Sequence, residues 1–174
     1  MQRDIRPVWL IRLAEELGGV GATQGQPRNT DLRRSVSTGY YAVFHCLALA
    51  TAGAALPNAT LEEVFGLARH VSHSSIKQVA AYVAGNQPPK HLDSVVGRLR
   101  SNSAVSSVAA TFVDLQEQRE EADYNHLADF TRPGTLALVA RAKRAVKSTD
   151  QGGASDDFQA FFGLIALRTS IGRA

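Results

Sequence analysis

Arg119 and His126 stand seven residues apart in a stretch whose other regularly spaced positions are apolar. Val105, Val108, Phe112 and Leu115 recur at three- and four-residue steps, and on a helix continued to residue 126 the cation and the imidazole fall on that same stripe. Such a break in the binary pattern is expected where chemistry overrides packing. An imidazole that titrates near neutrality can take or give a proton. A guanidinium that stays charged can stabilise negative charge as it develops. The spacing also fits a plainer arrangement, in which Arg119 pairs with Asp123 at i, i+4 and His126 ends the helix, with Asn125 offering a stop just before it.

A second constellation lies on the segment that begins near residue 30. Leu32, Val36, Tyr40, Val43 and Leu47 share one helical sector and form a core stripe. On the opposite side Arg34, Thr38, Tyr41 and His45 follow one another at steps of four, three and four, flanked by Phe44, Ala48 and Leu49 rather than by solvated charges. A helix with this composition is expected to be covered on both faces, by its own core and by a second chain, or to hydrogen-bond Tyr41 and His45 within one bundle.

Other polar groupings carry less. Gly18-Gly19-Val20-Gly21-Ala22-Thr23 lacks the Lys-Ser or Lys-Thr pair of a phosphate-cradling loop and reads as a turn. His70 and His73 have a spacing that could place two imidazoles on one helical face, but no third metal ligand clusters with them, so a solvated helix end is the expectation. His91 has no assigned role. Arg141, Lys143, Arg144 and Lys147 fit either a phosphate-binding stripe or a solvated face.

The elements that must position these groups are helical throughout, because three- and four-residue apolar steps recur along the chain and sustained strand-like alternation is missing. Helices are expected over about 4–17, from the capping residues Asn29-Thr30-Asp31 to about Ala52, from the capping box Thr60-Leu61-Glu62-Glu63, and over about 73–84, 89–100 and 104–126. Thr131-Arg132-Pro133-Gly134 opens another, which runs to Gln151-Gly152-Gly153, and a short one follows at about 156–169. With 174 residues, 44% of them hydrophobic, the chain is expected to form one domain over 1–174 and is too apolar to be disordered. No apolar run is long enough to span a bilayer. A single cysteine, Cys46, rules out an intrachain disulfide, and Met1-Gln2-Arg3-Asp4-Ile5-Arg6-Pro7 does not resemble a secretory signal, so a cytoplasmic location is expected. The net charge of +3 permits phosphate contact without diagnosing it.

The string from Asp31 to His45, with Arg33-Arg34 and Tyr40-Tyr41-Ala42-Val43-Phe44-His45, resembles the long helix of bacterial HEPN-domain proteins, which often carry Arg-Arg-x-x-x-x-x-Tyr-Tyr-Ala-x-Phe-His. Arg119-Glu120-Glu121-Ala122-Asp123-Tyr124 is similar to the Arg-x-x-Ala-Asp-Tyr signature of a later helix in the same family. The matches lie within residues 30–126. The resemblance implies an all-α, up-and-down bundle with additional short helices, a homodimer, and a cleft lined by these two helices. Many members are metal-independent endoribonucleases of toxin or defence type, marked by Arg, four to six residues, then His; here six residues separate Arg119 from His126.

On that resemblance Arg119 stabilises an RNA phosphate as the 2′-oxygen attacks, and His126 moves a proton. Arg34, Tyr41, His45, Asp123 and Tyr124 support the cleft, and no cofactor or metal takes part. Glu120 follows Arg119, where active members more often carry Asn, Asp or His. A second expectation is a non-catalytic module that binds a nucleotide or RNA, or pairs with an antitoxin such as a nucleotidyltransferase. A purely structural helical dimer is the third.

Overall fold

Capping side chains and glycine stops divide the chain into helices whose apolar faces cannot be satisfied alone. The computed structural model describes residues 6–21 and 25–171, with side chains described through residue 169. It is all-α, a helical bundle with no strand among the described residues. The helices are α1 (Pro7–Leu17), α2 (Asn29–Ala55), α3 (Leu61–Ala68), α4 (His73–Ala84), α5 (Asp93–Ser101), α6 (Ser103–Tyr124), α7 (Arg132–Gly152) and α8 (Asp156–Ile171). Residues 4 and 5 of the expected first helix, and residues 22 and 23 of the glycine-rich turn, lie outside the described residues.

Local chemistry accounts for most of these boundaries. Glu63 N–H donates to Thr60 Oγ1 while Thr60 N–H donates to Glu63 Oε2 at 2.7 Å, the expected capping box at the start of α3. Asn102 Oδ1 accepts from the N–H groups of Ala104 and Val105 and starts α6, and Thr131 caps α7. At α2 the cap differs from expectation. Arg28 is the N-cap residue, and Asp31 contributes by accepting from its N–H at 3.2 Å. Asn29 is thereby released to bind elsewhere. The segment expected at 89–100 divides into a single 3-10 turn, Lys90–Leu92, and α5. Arg100 reaches from α5 to the end of α4, where its Nε and Nη2 donate to Tyr82 O at 3.0 and 2.7 Å.

α2 is the central helix and packs against α1, α6, α7, α8 and α3. Its expected stripe, Leu32, Val36, Tyr40, Val43 and Leu47, is buried throughout. So is the stripe of α6, with Val105, Val108, Phe112 and Leu115 all inside. Gly39 faces Val139 and Ala142, which lets α2 and α7 approach closely. α8 adds Phe158, Phe161, Phe162 and Ile165 to the same core. Two residues of the basic run on α7 are paired with neighbours, Arg141 with Asp114 and Lys143 with Glu15, each at 2.7 Å. Only Arg144 and Lys147 are left as an exposed pair, so the run is mainly a solvated, cross-linked face rather than a continuous phosphate stripe. Among the described residues no helix is long and apolar enough to cross a membrane.

Phe112 sits at the centre of this core, fully buried against Tyr40 at a ring-centroid distance of 5.5 Å. Phe112→Ala is expected to lower unfolding free energy by about 3–5 kcal/mol, because the cavity left between α2 and α6 cannot close completely. The shift of the urea midpoint at constant m-value measures it.

Candidate functional site

α2 and α6 run side by side, and the polar groups that interrupt their apolar patterns meet along one seam. Its first anchor is Arg33. Nε donates to Ala122 O at 2.7 Å, Nη2 to Asn125 O at 2.9 Å and Nη1 to Ala128 O at 3.2 Å. One guanidinium thus satisfies carbonyls that the end of α6 and the turn after it leave without helical partners. Asn29 reinforces it, accepting from Phe130 N–H and donating to Ala128 O. Asn125 itself has φ −87° and ψ 99°, outside the helical region, and its Oδ1 accepts from Leu127 N–H.

α6 therefore ends at Tyr124, and the helix expected to continue to residue 126 does not. His126 is displaced from the apolar stripe into an exposed turn. There it lines an open groove of about 560 Å³ together with Asn29, Thr30, Arg33, Arg34, Ala122 and Asp123. Arg34 and His126 are brought to one surface, but by the turn rather than by helical spacing.

The groove leads to Arg119 through Asp123. Asp123 Oδ1 accepts from Ser37 Oγ, and its Oδ2 lies 2.6 Å from Arg119 Nε. The i, i+4 pair read from the sequence is formed. Arg119 Nη2 donates to Tyr41 Oη at 3.1 Å, and the guanidinium lies 5.7 Å from the Tyr41 ring and 5.3 Å from that of Tyr124. Arg119 is consequently only partly exposed, held between a carboxylate and two aromatic rings.

Beyond Tyr41 the seam becomes a cluster of rings. Tyr41 stands 6.4 Å from His45 and 6.1 Å from His73 between ring centroids. His73 lies flat on Phe44, 3.6 Å away and within 9° of parallel, and its Nδ1 is 2.5 Å from Tyr40 Oη. The second face of α2 is thus partly covered by α4 and α6 of the same chain, with Tyr41 and His45 half-buried and Arg34 exposed. Thr38 turns back to donate to Arg34 O and takes no part. His73 was missed as a site residue because its only sequence signal, the spacing to His70, pointed to metal ligation rather than to α2. Among the described residues no three metal-ligating side chains cluster.

Charge in this cluster is set by burial and by Arg119. Burial pushes the His45 imidazole below its ordinary pKa. Burial does the same to His73, helped by the Arg119 cation and by His45. Burial raises Tyr40 well above the usual phenol range, so its hydroxyl stays protonated against His73. Cys46 is no rival nucleophile: it is buried between α2 and α7, and burial, with Asp150 nearby, pushes its thiol up to about 12.

Arg33→Ala removes three charge-assisted donors at once. It is expected to cost about 2–3 kcal/mol in urea unfolding and to speed amide exchange selectively at the end of α6 and in the turn carrying His126. A second expectation concerns pH. His45 and His73 both have folded-state pKa values below the unfolded value near 6.5, so the unfolded chain binds more protons as pH falls. Stability from their neutral forms is complete above about pH 6.5 and is lost as pH drops through the depressed folded values. The melting temperature should fall between pH 7.5 and 5, and the fall should be shallower in His45→Gln/His73→Gln. Against protein-family models, curated proteins and solved structures the chain gives no match.

Proposed function

We propose that the chain is a metal-independent endoribonuclease of toxin or defence type, with an HEPN-like bundle, acting in the cytoplasm as a homodimer. In this reading Arg119 stabilises the extra charge on the phosphate as the ribose 2′-oxygen attacks, and His126 moves a proton to or from the reacting oxygens. The observation that carries it is the position of Asp123. That carboxylate bonds Arg119 and also lines the groove that holds His126 and Arg34, so the two separate motifs converge on one surface. Arg33 and Arg34 add positive charge beside the groove, and Tyr41 and Tyr124 flank Arg119 with rings on which bases can stack.

One observation favours a second reading, a non-catalytic module that binds RNA, a nucleotide or a nucleotidyltransferase partner. The Arg119 charge is already matched by Asp123, and the neighbouring Tyr124 and Leu127 are 69% and 94% exposed, as a recognition surface would be.

Cleavage of a mixed RNA pool in excess EDTA separates the two. The ribonuclease reading expects the wild type to cut and to leave 2′,3′-cyclic phosphate ends, and folded His126→Ala to be slower by roughly 10²–10⁴-fold. No cutting by the wild type transfers the weight to the binding module, and cutting that EDTA abolishes removes the metal-independent mechanism.

A further inference from the structure

Among the histidines of the described residues, His73 has the arrangement of a positioned acid–base group. Its Nδ1 is fixed by the hydroxyl of Tyr40, 2.5 Å away and itself buried. Its ring plane is fixed by stacking on Phe44. Its Nε2 makes no hydrogen bond among the described residues, and the residue as a whole is exposed. A ring clamped at one nitrogen and open at the other is how a general base is oriented. His126, by contrast, sits in an exposed turn at the far end of the seam.

The remaining groups around His73 suit an anionic substrate. From α2 it faces Tyr40, Tyr41 and His45; from α6 the charges that reach this cluster are Arg119 and Glu120, and on α4 Lys77 lies 3.7 Å from Glu120. Arg119 engages Asp123 through Nε and Tyr41 through Nη2, and its Nη1 makes no hydrogen bond among the described residues. His73 and the Arg119 guanidinium both lie about 6 Å from the ring of Tyr41, on which a base or ribose can rest.

Building on the ribonuclease reading, we propose that His73 is a further catalytic residue, the general base that acts beside Arg119 on the phosphodiester of single-stranded RNA. In the tautomer that carries its hydrogen on Nδ1 and donates it to Tyr40 Oη, Nε2 takes the proton of the 2′-hydroxyl, and the resulting imidazolium keeps the Nδ1–H bond to Tyr40 Oη. The 2′-oxygen–phosphorus bond forms and the phosphorus–5′-oxygen bond breaks. The leaving oxygen takes its proton from His126, the proton carrier of the ribonuclease reading, and the proton held on His73 Nε2 returns through water to His126. Tyr40 is a positioning residue, acting through the ring it orients.

The test has two arms. In the first, wild type, His73→Gln, His126→Gln and Tyr40→Phe, each checked by melting, cut the mixed RNA pool in EDTA from pH 5 to 9. His73→Gln is expected to slow cutting at neutral pH by at least roughly 100-fold and to abolish the acid limb of the rate profile. Tyr40→Phe is expected to displace that limb, which a merely structural loss would not do. Cutting by His73→Gln within threefold of wild type, with an unchanged acid limb, overturns the proposal even if His126→Gln is dead.

In the second arm, the ring nitrogens of the wild-type histidines are followed by NMR while uridine 3′-monophosphate is added. His73 is expected to shift, and the shift to be lost in Arg119→Gln. This arm needs neither RNA cleavage nor a folded His73 variant. A wild type that does not cut refutes the ribonuclease reading, and the titration then decides whether His73 and Arg119 share a phosphate. An unmoved His73 overturns the proposal in either case.

Discussion

The Arg33 guanidinium, spread across the carbonyls of Ala122, Asn125 and Ala128, is the interaction on which the candidate site depends. A helix end leaves free carbonyls to be satisfied, and here a side chain from the neighbouring helix does it. Asp123, Tyr124 and His126 all lie on the segment so held. Because Arg34 follows Arg33 on α2, holding the turn also brings Arg34 and His126 to the same groove. The two halves of the site are therefore positioned by one electrostatic contact between α2 and the end of α6.

Arg119 is the second fixed point, and its surroundings show how a cation is retained between packed helices. Desolvating a charge is costly unless it is paired, and Asp123, Tyr41 and the two ring faces provide the compensation. The same charge acts on its neighbours, adding to the burial that lowers the His73 pKa. Tyr40 joins this polar seam to the core: its ring packs against Phe112 and its hydroxyl reaches His73. One buried tyrosine thus links the packing between α2 and α6 to the orientation of a surface imidazole.

Much of the fold was legible because the apolar period is strong and the caps are local. Thr60 with Glu63, and Thr131, start helices through hydrogen bonds to residues three positions away, which a sequence displays directly. The errors came where a contact arrives from a distance. Of the three capping residues the sequence offers before α2, Asp31 contributes to the cap while Asn29 binds residues 128 and 130, and the helix expected to run to residue 126 stops at Tyr124 under the grip of a residue about ninety positions earlier.

The sequence by itself determined the helices, the two core stripes of α2 and α6, and the pairing of Arg119 with Asp123, since each depends on residues within a turn or two of one another. Only the tertiary structure decided that α4 and α6 pack beside Tyr41 and His45 on α2, where His126 goes, and that His73 joins Tyr40, Tyr41 and Arg119. His73 and Tyr40 are thirty-three residues apart, and no local period relates them. Their meeting is fixed by how α2, α4 and α6 bury their apolar faces together, which depends on shape complementarity summed over the whole core rather than on any one segment.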